Sequence, residues 1–189
     1  MSKIAISGAA TGTATFTIES PATSTNRTLT LPDNTGTIIT TGSTFAGTGP
    51  AFSVYGSTNQ TGLTSSSFTK VAFNTELFDT NNNFDSTTNY RFTPTVAGYY
   101  QLNFCCYVTG SNISASEPFI HKNGSSYSSG QYVANSSPAS ILTVSNIIYF
   151  NGTTDHVEFY MYATTTAGTY TISHSVLYTY ATGALIRAA

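Results

Sequence analysis

The residues able to do acid–base chemistry are few: eight carboxylates (Glu19, Asp33, Glu76, Asp79, Asp85, Glu117, Asp155 and Glu158) and three histidines (His121, His156 and His174). Glycoside hydrolysis would need two of the acids facing one bond at a set separation. Asp33, Asp79 and Asp155 instead stand beside Asn, Gly or Thr, as aspartates that build turns do. None of the histidines sits at zinc-ligand or catalytic spacing, and there is neither a Gly-x-Ser-x-Gly elbow nor a phosphate-cradling Gly-Lys-Ser loop. The expectation is a protein that is not an enzyme and has no cofactor. One segment, Asp79-Thr80-Asn81-Asn82-Asn83-Phe84-Asp85, could gather oxygen ligands around calcium, with Asp79 and Asp85 as the carboxylate donors. It lacks the closing bidentate Glu of a calcium hand, so the sequence favours a structural loop there.

The elements that would position these residues read as strands. Charged residues make up only 7% of the chain, against roughly 25% in an average globular domain. Ser, Thr, Asn and Gly fill the polar positions, while 13 Tyr and 12 Phe supply a core, which separates a β-protein from a polar linker. The six basic residues (Lys3, Arg27, Lys70, Arg91, Lys122 and Arg187) are scattered, so no nucleic-acid partner is expected. Membrane insertion is not expected either, since no segment has the length and apolarity of a span, and Met1 to Ser7 lacks the apolar core of a secretory signal.

Period-two alternation recurs between turn signals, and no 3.6-residue pattern is long enough for a sizeable helix. The clearest strand is Tyr99 to Val108. It has Tyr100, Leu102, Phe104, Cys106 and Val108 on one face, and Tyr99, Gln101, Asn103, Cys105 and Tyr107 on the other. Cys105 and Cys106 thus point to opposite faces and are expected as separate buried thiols. Val157 to Ala163 and Tyr170 to Tyr180 are further strands, the latter carrying His174 on an apolar face as a core or axis residue. Ile141 to Phe150 is apolar on both faces, which predicts a central strand. Shorter candidates are Ala51 to Tyr55, Lys70 to Asn74, Asn89 to Phe92 and Pro118 to Lys122, with Asn123-Gly124 as a hairpin turn. About eight strands point to a jelly-roll β-sandwich. An immunoglobulin-like sandwich is the rival, without its Cys and Trp hallmarks.

Residues 1–42 are Thr-rich and poor in aromatics, with short alternating pieces at Thr13 to Ile18, Thr28 to Leu31 and Thr37 to Ile39. They read as a short β-rich arm dependent on other chains. Residues 43–50 read as a linker, and 51–189 as the head.

From Ala51 to about Tyr180 the order of motifs resembles the C1q-like globular head, the trimeric jelly roll related to tumour necrosis factor. The similarity lies in Ala51-Phe52-Ser53-Val54, Val71-Ala72-Phe73-Asn74, and Tyr90-Arg91-Phe92-Thr93-Pro94 leading to Ala97-Gly98-Tyr99-Tyr100. It continues through His121-Lys122-Asn123-Gly124, Phe150-Asn151-Gly152, Asp155 to Phe159 and Ser173 to Tyr178. Two threonines separate Gly152 from Asp155 where the family has a Gly-Asp turn, and no Gly-X-Y stalk precedes the head. The arm separately resembles modules of phage tail and fibre proteins, in Ala14-Thr15-Phe16-Thr17-Ile18 with Ser20-Pro21, and Leu29-Thr30-Leu31-Pro32-Asp33 with Thr35-Gly36-Thr37.

Together the two resemblances imply a bacteriophage virion protein, a trimeric tail fibre or spike made in the host cytoplasm without a signal peptide. Its arm would join other virion proteins and its head would bind a host-surface glycan or protein. Related heads can bind calcium, which bears on Asp79 and Asp85. The aromatic second faces make Tyr99, Tyr107, Tyr160 and Tyr162 the trimer-interface candidates. Polar loops at Thr109 to Glu117 and Ser125 to Pro138 would meet the receptor, with Tyr127 and Tyr132 offering rings. The alternatives are a capsid or tail decoration protein with a purely architectural role and a bacterial C1q-like adhesin.

Overall fold

A computed structural model describes residues 49–134 and 137–189, together with Ser24. The arm at 1–42, Ser24 apart, and most of the linker at 43–50 lie outside the described residues. The described elements are all strands: β1 (Ala51–Tyr55), β2 (Gln60–Thr64), β3 (Ser67–Lys70), β4 (Thr75–Asp79), β5 (Phe84–Asp85) and β6 (Arg91–Phe92). They continue with β7 (Gly98–Lys122), β8 (Ser125–Ser129), β9 (Ser137–Phe150), β10 (Val157–Thr165), β11 (Thr169–Ile172) and β12 (Tyr180–Ala188).

The long β7 organises the molecule. Its first half pairs with β12 on one side and β9 on the other, and its second half pairs with β10 and β8. Between the halves the register slips from Thr109 to Ile113 and Asn112 adopts a positive φ of 51°. A bulge at that point lets one strand serve two layers. The first layer is β4–β1–β12–β7–β9, with β11 and β2 extending it, and the second is β10 flanked by β3, β6, the end of β7 and β8. Thr109 to Glu117, read as a receptor loop, is therefore strand, because the ladder to β10 resumes at once beyond the bulge.

The core lies between the layers. Tyr100, Leu102, Phe104, Cys106 and Val108 point inward from β7 and Val157, Phe159, Met161 and Ala163 from β10, all at most 1% exposed. Phe159 joins the layers, its ring centroid 5.3 Å from Phe104, 5.8 Å from Phe73 and 6.4 Å from Phe52. Cys105 and Cys106 are separate free thiols, both buried. The Asn123-Gly124 hairpin is present between β7 and β8, with positive φ at both residues (52° and 81°) as a two-residue turn of this twist requires.

Four expected strands are corrected. Ile141 to Phe150 is an edge strand, since β9 pairs with β7 alone among the described residues, and Ile141, Ile147 and Tyr149 are 51%, 50% and 41% exposed. Tyr170 to Tyr180 is two strands. β11 ends opposite Val108 and β12 begins opposite Cys105, so the two intervening residues of β7 face seven residues, 173–179, which loop outward. Lys70 to Asn74 and Asn89 to Phe92 keep the ladder only at their ends: β3 stops at Lys70, and Tyr90 breaks the second run with a φ of 49°.

β12 has no counterpart among the expected strands because its core positions are small. A Cβ on Gly183 would stand 2.5 Å from both Leu102 Cδ2 and Phe52 Cε1. Both are fully buried and cannot swing away. Gly183→Ala is thus expected to cost about 1–3 kcal/mol by overpacking, read as a lower urea midpoint at unchanged m-value.

Candidate functional site

Among the described residues no three His, Cys, Asp or Glu side chains gather as metal ligands would. Asp79 and Asp85 spend their oxygens on their own loop. Asp79 Oδ1 accepts the Asn81 amide (3.3 Å) and Oδ2 that of Phe84 (2.6 Å). Asp85 accepts the amides of Thr87 (3.1 Å), Thr88 (2.9 Å) and Asn89 (3.1 Å) and the Asn89 side chain (2.7 Å). The Thr88 amide above all holds the Asp85 carboxyl well below the usual range, with burial opposing and Thr87 and Asn89 adding. Asp85→Ala is expected to lower stability by about 1–2 kcal/mol through these orphaned donors. Calcium at millimolar levels is expected to leave the melting temperature of parent and variant unchanged, read by scanning calorimetry with and without chelator.

What the structure does present is two outer faces. On the first layer, residues alternate with the core set, so Tyr149 pairs across with Tyr99, Ile147 with Gln101, Ser145 with Asn103, Thr143 with Cys105 and Ile141 with Tyr107. β12 continues these rows, setting Thr182 against Asn103 and Tyr180 against Cys105. The face has an apolar end of Tyr99, Ile147, Tyr149 and Ile186, each two-fifths or more exposed, and Tyr99, Ile147 and Ile186 line a groove of about 520 Å³ together with Arg187, Ala188 and Ala189. Tyr99 and Tyr149 touch at 5.4 Å. The other end carries Ile141, Tyr107 and Tyr178, the last two 5.8 Å apart. Between them runs a polar band, with Gln101 donating to Ser145 (2.7 Å), Ser145 to Asn103 (2.8 Å) and Asn103 to Thr182 (3.3 Å).

The outer face of the second layer is aromatic and more compact. Tyr162 pairs across with Phe68, and Tyr160 lies between Lys70 and Phe119. Phe68 is the hub, its ring 4.9 Å from Phe119 and 5.4 Å from both Tyr162 and His121. His121 stacks on Tyr160 at 4.1 Å and 19°, and its Nε2 lies 2.9 Å from Ser126 Oγ. Lys70 and Glu158 form an ion pair at one side. Burial pushes the His121 pKa down, with Glu158 raising and Lys70 lowering it.

The four tyrosines expected at one subunit contact therefore divide. Tyr99 and Tyr107 lie on the first outer face, Tyr160 and Tyr162 on the opposite one, because period-two alternation fixes a side chain's face but not its layer. Tyr127 stands on β8, 52% exposed and 5.9 Å from Lys122 Nζ, and Tyr132 follows β8 at 59% exposure. Phe68, Phe119 and His121 went unread as a group, and the alternation Ser67-Phe68-Thr69 by itself would turn Phe68 toward the core, whereas the register sets it outward against Tyr162.

His174 sits inside the outward loop. Gln60 takes the Ala72 amide on Oε1 (2.9 Å) and donates Nε2 to the Lys70 carbonyl (3.1 Å), which fixes its amide orientation. His174 Nε2 therefore donates to Gln60 Oε1 at 3.0 Å, and the buried Nδ1 is left without a partner against Gly56.

No protein-family model matches the chain, and no curated protein matches it. Solved structures do. The globular domain of zebrafish complement 1qA is similar over 74% of this chain and 99% of that chain, at 20% identity and a TM-score of 0.52. Murine APRIL is similar over 71% of this chain and 97% of that chain, at 8% identity and a TM-score of 0.55. The fold is thus the all-β jelly roll of C1q-like and tumour-necrosis-factor-like heads.

Proposed function

We propose that the chain is a homotrimeric virion protein, the fibre or spike subunit of a bacteriophage, whose jelly-roll head meets the host surface and whose arm joins other virion proteins. The observation that carries the trimer is the outer face of the first layer. Tyr99, Ile147, Tyr149 and Ile186 form a contiguous apolar patch that one chain leaves in water, in a protein whose polar surface is otherwise Ser, Thr and Asn. Isolated exposed apolar residues need no explanation, but a contiguous patch rimmed by polar groups does. Copies of the same chain supply matching patches under a closed rotation. The virion assignment is supported by the arm's resemblance to tail and fibre modules standing in one chain with this head.

Two measurements test the reading. Light scattering of the full chain is expected to give three times 20.0 kDa, and a monomer would end the trimer argument. Antibody against the chain, imaged on particles from cells that make it, is expected to label fibres or spikes. Label spread over the capsid shell would replace attachment by the architectural decoration role.

A further inference from the structure

We propose that the opposite outer face, centred on Phe68, is a binding platform for a neutral saccharide, which deepens the attachment reading and rests on it for the ligand's source, a host-surface glycan. β3 is Ser-Phe-Thr-Lys, and Phe68 stands 48% exposed on the outer face, which it shares with Lys70, while Ser67 and Thr69 point to the other face. Leaving half a phenylalanine in water forgoes burial free energy, and the ring is nonetheless held in place. Phe119 meets it edge-on at 83°, and Tyr162 and His121 flank it. His121 is itself fixed between Tyr160 and Ser126. Phe68 is the ring left open for stacking and the rings on β10 and β7 hold it in place, a surface that suits one pyranose ring.

The polar side of the platform completes the match. Lys70 Nζ gives protons to Glu158 Oε1 and to the Asn89 carbonyl (3.2 Å), so a third remains for a ligand. Lys70 is the accessible partner, 31% exposed against 10% for Glu158, which anchors it. The Tyr160 ring lies 5.9 Å from the same ammonium. A sugar has an apolar C–H face for stacking and a rim of hydroxyls that accept and donate. The two charges cancel, so an anionic chain finds no net attraction and a neutral ligand is the complementary one.

A second copy of the chain is the rival occupant. Stable protein interfaces bury about 800 Å² per partner. On this face Phe119, Tyr160, Tyr162 and His121 are already largely covered within one chain, and Phe68 alone is nearly half exposed. The remaining apolar area is that of a small-ligand site.

The test uses the full chain with maltotriose, cellotriose and the trisaccharides of galactose and N-acetylglucosamine as probes, followed by saturation-transfer NMR and titration. At least one is expected to bind, and Phe68→Ser to weaken it by about tenfold or more with Glu158→Gln weakening it less, at unchanged solution mass and melting profile. The platform is overturned if no probe binds at about 10 mM, a level that would reveal even millimolar affinity, or if Phe68→Ser leaves binding intact. A change of mass in Phe68→Ser would instead make this face an interface between copies and also overturn it. Trisaccharide binding with antibody label away from fibres and spikes would keep the platform and remove the attachment reading, whereas correct label without binding removes the platform alone.

Discussion

Replacing Ile147 by Asp and Tyr149 by Ser in one chain is expected to turn the proposed trimer into a folded monomer. Both side chains point out of β9, while their neighbours Ile148 and Phe150 are fully buried, so the substitutions leave the core untouched. Each residue, already half-covered, forgoes about 1 kcal/mol of burial per interface. An unpaired carboxylate placed in the contact adds a desolvation penalty of about 1–3 kcal/mol or more. Summed over the three interfaces of a closed trimer this is on the order of 10 kcal/mol, enough to dissociate a micromolar-stable assembly at working concentrations. Light scattering reads the mass, and circular dichroism with a urea titration confirms that the single-chain fold persists. A variant that keeps the trimer mass would place the threefold contact on another face.

This experiment also probes why the sequence was legible in some elements and misleading in others. The first half of β7 and all of β10 were readable because one face is wholly apolar while the other mixes Gln101, Asn103 and Glu158 with its tyrosines, which is the signal of a half-buried strand. β9 carries apolar residues on both faces, and that pattern says only that both faces are covered, not by which chain. Read within one chain it predicts a central strand; in an assembly it suits an edge strand covered by a neighbour. β12 was invisible for the opposite reason: Ala181 and Gly183 hold core positions with almost no side chain, because Phe52 and Leu102 fill that space from the neighbouring strands. The run from Tyr170 to Tyr180 kept its alternation, broken at Leu177 alone, through a loop, so periodicity survived where the ladder did not. The aromatic platform was the least legible part, since it joins Phe68, Phe119 and Tyr162 from three strands far apart in sequence.

That same loop carries the second large expected effect, a loss of stability on mild acidification. Burial holds the His174 pKa down at about 4, below the ordinary 6.5. The geometry gives the cause a direction: Nε2–H is committed to Gln60, so protonation must occur at Nδ1. That atom faces Gly56, where a Cβ would come within 1.9 Å of it, and it has no acceptor for a new proton. Between pH 6.5 and 4 the unfolded chain therefore binds a proton that the folded chain refuses. Stability is complete above the unfolded value and falls as pH drops through this window, by up to about 3 kcal/mol. For a domain of this size that is roughly 5–10 °C in melting temperature. His121, also lowered by burial, adds in the same direction, so a His121→Gln background isolates the effect. In that background His174→Gln can still donate to Gln60 but cannot titrate, and it is expected to flatten the melting curve from pH 6.5 to 4 while costing about 1 kcal/mol at pH 8 through lost packing against Phe73. Below pH 4 both chains are expected to lose stability together as Asp85 and Asp155, whose carboxyls are held low by their loop hydrogen bonds, take up protons. Parallel curves for the two chains across the upper window would mean that the 173–179 loop opens to water and admits the proton without cost. The loop would then be the first part of the head to yield, and Gly56, which makes room for the ring, would tolerate alanine.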